Sequence, residues 1–129
     1  MKKIISITLL IIWLLTIYYF SNQHGDISSM LSNNVNNVIS FINVLYIRKL
    51  AHVFLYFILG VLVINVLDLY NVKNLFFYSF VFCILYSISD ELHQYFIPLR
   101  DCRIIDVLID SISSYIGIKT YILLKNKLF

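Results

Sequence analysis

The sequence predicts an all-α integral membrane protein. It would be a bundle of four transmembrane helices with an additional amphipathic interfacial helix between the first and second spans. Three observations predict this. Of the 129 residues, 60% are hydrophobic and only 13% are charged, whereas a soluble domain carries about 25% charged residues. A chain this short buries only about two-thirds of its surface in water, too little to hide so much apolar side chain. The apolar residues also fall into four runs, at residues 4–20, 50–67, 75–92 and 104–124, with polar residues near their ends. The same composition excludes disorder, which needs low hydrophobicity and high net charge. Two cysteines exclude a disulfide scaffold, and a net charge of +3 is too small to suggest a nucleic-acid partner. One membrane domain over residues 1–129 is expected.

The first run, IISITLLIIWLLTIYYF, has no charge, glycine or proline. As a helix its length is about 25 Å, near the lower limit for a span. Tyr18 and Tyr19 stand where an interfacial aromatic belt would be. Lys2 and Lys3 could begin a signal peptide, but SNQHGD after Phe20 lacks a small-residue cleavage pattern, so an uncleaved anchor is expected. In the long connection that follows, Ile27, Met30, Leu31, Val35, Val38, Ile39, Ile42 and Leu45 recur at helical spacing among Ser and Asn. This predicts the interfacial helix, over residues 27–46. DLYNVKN reads as a short turn between the second and third spans, and HQYFIPLRDCR, with Pro98, as the break before the fourth.

Four spans put both termini on one side. Lys2, Lys3, Lys73, Lys119, Lys125 and Lys127 share that side, and Arg48, Lys49, Arg100 and Arg103 lie opposite. The excess predicts cytoplasmic termini. Every acid except Asp68, and all three histidines, fall on the outward side. Ionisable side chains at membrane depth cost about 2.5–3.5 kcal/mol each on insertion scales and are paired or functional.

Three helix ends meet on that side. In RKLAHVFLY, Arg48, His52 and Tyr56 share a face with Lys49 beside them. In SDELHQYF, Asp90, His93 and Gln94 share a face and Glu91 points partly elsewhere. In RIIDVLIDSISSYIG, Asp106, Asp110, Ser113 and Gly117 form one polar and small-residue stripe that must face protein or water. A structural ion-pair network of these acids with Arg48, Lys49, Arg100 and Arg103 is the plainest explanation. Three functional readings stand beside it. Arg48, Lys49 and Arg100, with Tyr56, Gln94 and Asp110, would hold an anionic or zwitterionic headgroup. His52 or His93, oriented by Asp90, Glu91 or Asp106, would do acid–base catalysis. A divalent metal would sit on Asp90, Glu91, His93, Asp106 or Asp110, although no cofactor is predicted and no His-Glu-x-x-His is present. Cys83 and most of the aromatic residues read as packing, and Gly60 and Gly117 as points of close helix approach.

At these residues the chain resembles the VanZ-like family of small bacterial membrane proteins. The matching pieces are FSNQ at 20–23, Ser28 and Ser32, RKLAHVFLYFILG at 48–60, DELHQYFIPLR at 90–100 and DVLIDSISSYIG at 106–117. The family's polar positions fall on Gln23, Arg48, Lys49, His52, Tyr56, Asp90, Glu91, His93, Gln94, Arg100, Asp106 and Asp110. Leu99 and Ser113 stand where the family often has glycine. The resemblance implies a multi-pass protein of the bacterial cell envelope, and the family's namesake is associated with low-level resistance to teicoplanin. The expected partner is therefore a membrane lipid or lipid-linked amphiphile at the outer leaflet. The alternatives are a membrane-embedded enzyme acting on a lipid-linked substrate and a non-catalytic structural or transport subunit.

Overall fold

The computed structural model describes residues 1–22, 36–97 and 103–128. Four α-helices follow in order: α1 Lys2–Ser21, α2 Asn36–Leu69, α3 Leu75–Tyr95 and α4 Ile104–Leu128. Each contains a stretch long and apolar enough to cross a membrane: Lys2–Ser21, Lys49–Leu69, Leu75–Tyr95 and Ile104–Lys127. Large apolar side chains such as Leu15, Phe77, Leu85, Ile112 and Leu123 point outward. Such a surface is ordinary against lipid, where there is no aqueous penalty to hide it from.

One expectation needs correction. No separate interfacial helix forms over residues 36–46, which instead open α2; residues 27–35 of that expected helix lie outside the described residues. Residues 36–59 contain neither proline nor glycine, so nothing breaks the backbone hydrogen-bond ladder where the span begins. The 34 residues of α2 make a helix of about 51 Å, well beyond the ~30 Å hydrocarbon core.

Side-chain contacts set the directions. On α1, Trp13 Nε1 donates to the Leu55 carbonyl at 2.9 Å, Asn65 Nδ2 donates to Ser6 Oγ at 3.2 Å, and Lys3 stands over the Tyr70 ring. α1 and α2 are therefore antiparallel. Between α2 and α4 the pairs are Lys49 with Asp106, His52 with Asp110, and Asp68 with Lys125. These two helices run parallel at a constant register. α3 runs opposite to both, and α1 touches α2 and, lightly, α3 but not α4. The core of Ile17, Leu55, Tyr56, Leu59, Val63, Ile64, Cys83 and Ile118 lies between them. Cys83 packs within it, as its apolar run suggested.

The α2–α4 contact is the most extensive in the bundle. Its closeness comes from missing side chains. A Cβ on Gly60 would collide with the Ser114 carbonyl oxygen, and one on Gly117 with the Phe57 carbonyl oxygen. Buried Ser113 and Ser114 extend the small-residue surface on α4. At the end shared by the termini, Lys125 Nζ lies 2.6 Å from Asp68 and the Tyr121 hydroxyl donates to the same carboxylate at 2.9 Å. The turn into α3 uses Asn71 and Asn74 at φ 53° and 56°, a left-handed region that asparagine tolerates better than most residues.

Gly117→Ala should force α2 and α4 apart and lower stability by about 1–3 kcal/mol, the usual range for overpacking. Thermal unfolding in detergent checks this, with Ile116→Ala on the exposed face expected to change little.

Candidate functional site

At the end of the bundle opposite the termini, α2, α3 and α4 enclose a set of ionisable groups. The spacing of four on α4 turns Asp106 and Asp110 to one face, with Asp110 a turn deeper, and Asp110 is 1% exposed. Ser87 Oγ of α3 donates to Asp110 Oδ2 at 3.2 Å, and His52 Nδ1 of α2 lies 3.8 Å from the same oxygen. That separation is an electrostatic contact and too long for a hydrogen bond. Asp90 of α3 is also buried. Its Oδ2 accepts from the Tyr56 hydroxyl at 3.3 Å and from Gln94 Nε2 at 3.2 Å. Gln94 Nε2 also lies 3.3 Å from Ser21 Oγ, which ties the end of α1 to this floor. His52 and Tyr56 stack with ring centroids 6.2 Å apart.

Glu91 has a different partner. Its Oε2 accepts the backbone N–H of Arg103 at 3.1 Å, just ahead of α4. A carboxylate at a helix N-terminus satisfies an otherwise orphaned donor and complements the helix dipole. Glu91 therefore caps α4 from a neighbouring helix. At the rim, Lys49 Nζ is 3.4 Å from Asp106 Oδ1, and that oxygen has no aligned hydrogen bond among the described residues. His93 turns to α1, its ring 4.9 Å from that of Tyr18, and its buried Nε2 has no hydrogen-bond partner among the described residues.

The charged and imidazole groups of three spans thus gather at one end of the bundle. Tyr56, Gln94 and Asp110, grouped by sequence with the headgroup ligands, lie in the buried floor. Lys49 and Asp106 lie at the rim. Arg100, Gln23 and the side chain of Arg48 are outside the described residues. Of the groups considered for metal binding, Asp90 and Asp110 come together with His52, their ligand atoms all within 4.8 Å of one another. Ser87 and Ser21 were not singled out by sequence. The signal for Ser87 is its place one turn before Glu91 on the face that meets α4.

A family model described as VanZ/LLP1 matches residues 6–125, nearly the whole chain. The chain belongs to the VanZ/LLP1 family. No curated protein and no solved structure matches it. In this VanZ/LLP1 protein the matched region takes in α2 and α3, most of α1 and α4, and every residue of the polar end described above.

The cap assigned to Glu91 has a direct check. Glu91→Leu should destabilise the protein by about 1–2 kcal/mol, as loss of a helix cap does, whereas Glu91→Gln keeps an acceptor and should cost less than half of that. Thermal unfolding of both variants in one detergent decides it.

Proposed function

We propose that this VanZ/LLP1 protein acts in the bacterial cell envelope by receiving the headgroup of an amphiphile at the outer leaflet. The ligand class is a lipid, a lipid-linked wall precursor or a lipidated antibiotic of the teicoplanin type. One observation carries the proposal: Asp90, Glu91 and Asp110 are all less than 10% exposed and converge with His52 at one mouth of an otherwise oily bundle. Glu91 has a structural task at the α4 terminus. Asp90 and Asp110, with His52, exceed what holding four helices together requires, because polar groups in a membrane are costly unless they are used. In this reading Lys49, Arg48 and Arg100 hold the anionic part of the ligand. His52, Asp90 and Asp110 form the polar floor, with Asp106 at the rim, Glu91 at the α4 terminus and His93 on the side facing α1. The lysines at the opposite end favour a cytoplasmic location for both termini, with the mouth facing outward.

The pairing of His52 with Asp110 favours a second reading, acid–base chemistry on a lipid-linked substrate. A carboxylate beside an imidazole orients it and stabilises its protonated form. The two readings part on mutation. Under catalysis, Asp110→Asn abolishes turnover while the protein still accumulates; under binding alone, it weakens ligand retention in a graded way.

Mass spectrometry of the protein purified with its native lipids should find an anionic amphiphile retained by the wild type and depleted by Lys49→Ala. Retention of bulk phospholipid only, unchanged by that variant, would count against the headgroup pocket. Expression in a sensitive host should raise the inhibitory concentration of teicoplanin-type lipoglycopeptides, and no change would remove that ligand class. In intact cells, a membrane-impermeant maleimide should label Cys102 in a Cys83→Ala background. Labelling only after permeabilisation would invert the orientation.

A further inference from the structure

We propose that His52, Asp90 and Asp110 hold one divalent transition-metal cation at the floor of the mouth. The inference rests on the pocket reading above and names what sits at its base. The three residues come from α2, α3 and α4, one from each helix that encloses the floor. Each offers one ligand atom, and the three atoms lie within 4.8 Å of one another. Ligands about 2.0–2.2 Å from an ion stand about 3–4.3 Å apart. The His52 Nδ1 to Asp110 Oδ2 distance of 3.8 Å is already inside that range. The widest pair closes by less than an ångström, which a small side-chain rotation supplies.

Charge supports the same occupant. As metal ligands, two ionised carboxylates and a neutral imidazole would carry −2, which a dication would balance. Among the described residues, the one basic side chain within 4.0 Å of either carboxylate is His52, 3.8 Å from Asp110. Burying two carboxylates against one imidazole is expensive without further compensation. An outer shell is also in place. The Tyr56 hydroxyl and Gln94 amide donate to Asp90, and the Ser87 hydroxyl donates to Asp110. Ligating carboxylates are characteristically steadied in this way. One nitrogen and two carboxylate oxygens suit Mn²⁺, Fe²⁺ or Zn²⁺ better than the all-oxygen preference of Ca²⁺ or Mg²⁺. Three protein ligands leave coordination positions open toward the rim, where an oxygen of an anionic headgroup would bind the ion directly.

The test uses the full chain in phospholipid nanodiscs, stripped with EDTA and titrated with MnCl₂ or ZnSO₄. About one Mn²⁺ per chain should bind, and its pulsed paramagnetic spectrum should show coupling to a directly coordinated imidazole nitrogen. His52→Ala should erase that coupling, and Asp110→Asn should weaken binding at least about tenfold. Asp68→Asn, at the opposite end of the bundle, should change neither. Mn²⁺ that stays fully hydrated in the wild type, or binds without nitrogen coupling, overturns the inference, and this spectrum alone decides it if the variants fail to fold. Metal binding unaffected by both site variants also overturns it. Retention of an anionic amphiphile by metal-free protein would leave the pocket reading standing while the metal inference failed.

Discussion

The close parallel contact of α2 with α4 is the constraint on which the polar end depends. It exists because Gly60 and Gly117 present no side chain where the partner backbone passes. That approach fixes the register in which Lys49 meets Asp106, His52 meets Asp110 and Asp68 meets Lys125. The ionisable pairs do not hold the helices together by themselves, since a partly exposed pair such as Lys49 with Asp106 contributes about 1 kcal/mol or less. Apolar backbone packing sets the geometry, and the charged groups occupy the positions it leaves.

Within that geometry the acids divide their work. Glu91 caps α4, Asp106 meets Lys49 at the rim, and Asp68 ties α2 to α4 at the far end. Asp90 and Asp110 are left as a buried pair beside His52, each accepting hydrogen bonds from neutral donors. This separation matters for function. A carboxylate that satisfies a helix end has a structural reason to be present, whereas the two carboxylates steadied by hydroxyl and amide groups in the floor are the groups on which the proposed ligand site rests.

Much of this arrangement was legible in the sequence, because helical periodicity is a local property. Asp106, Asp110, Ser113 and Gly117 recur at intervals that place them on one face, so their inward stripe could be read without neighbours. The convergence of three polar helix ends followed from alternating span direction. Other features depend on which helix lies beside which. His93 was grouped with Asp90 and Gln94 on α3, yet it stacks on Tyr18 because α1 packs along that side. The task of Glu91 required the start of α4 to lie next to it. The N-terminal part of α2 was assigned to a separate helix because its Ser and Asn content changes the composition, but composition does not end a helix without a breaker or a cap. Gly60 and Gly117 were legible as points of close helix approach and alternating spans make α2 and α4 parallel, but the register that sets Gly60 against Ser114 and Gly117 against Phe57 was not, since it arises from backbone atoms far apart in the chain.

The order in which the chain leaves the ribosome gives the α3–α4 interface a further consequence. Glu91 and Ser87 lie on the last turns of α3, and their partners, the Arg103 backbone N–H and the Asp110 carboxylate, have not yet been synthesised when α3 is complete. Without α4, Glu91 would lack its backbone donor, whereas Asp90 keeps the Tyr56 hydroxyl of α2 and the Gln94 amide of α3. Partition as a helical hairpin, with α4 arriving before α3 is released from the translocation channel, lets Glu91 find its backbone donor and Ser87 find Asp110 during insertion. These two contacts favour joint insertion of α3 with α4, a dependence that α1, whose membrane stretch carries no acid, does not share.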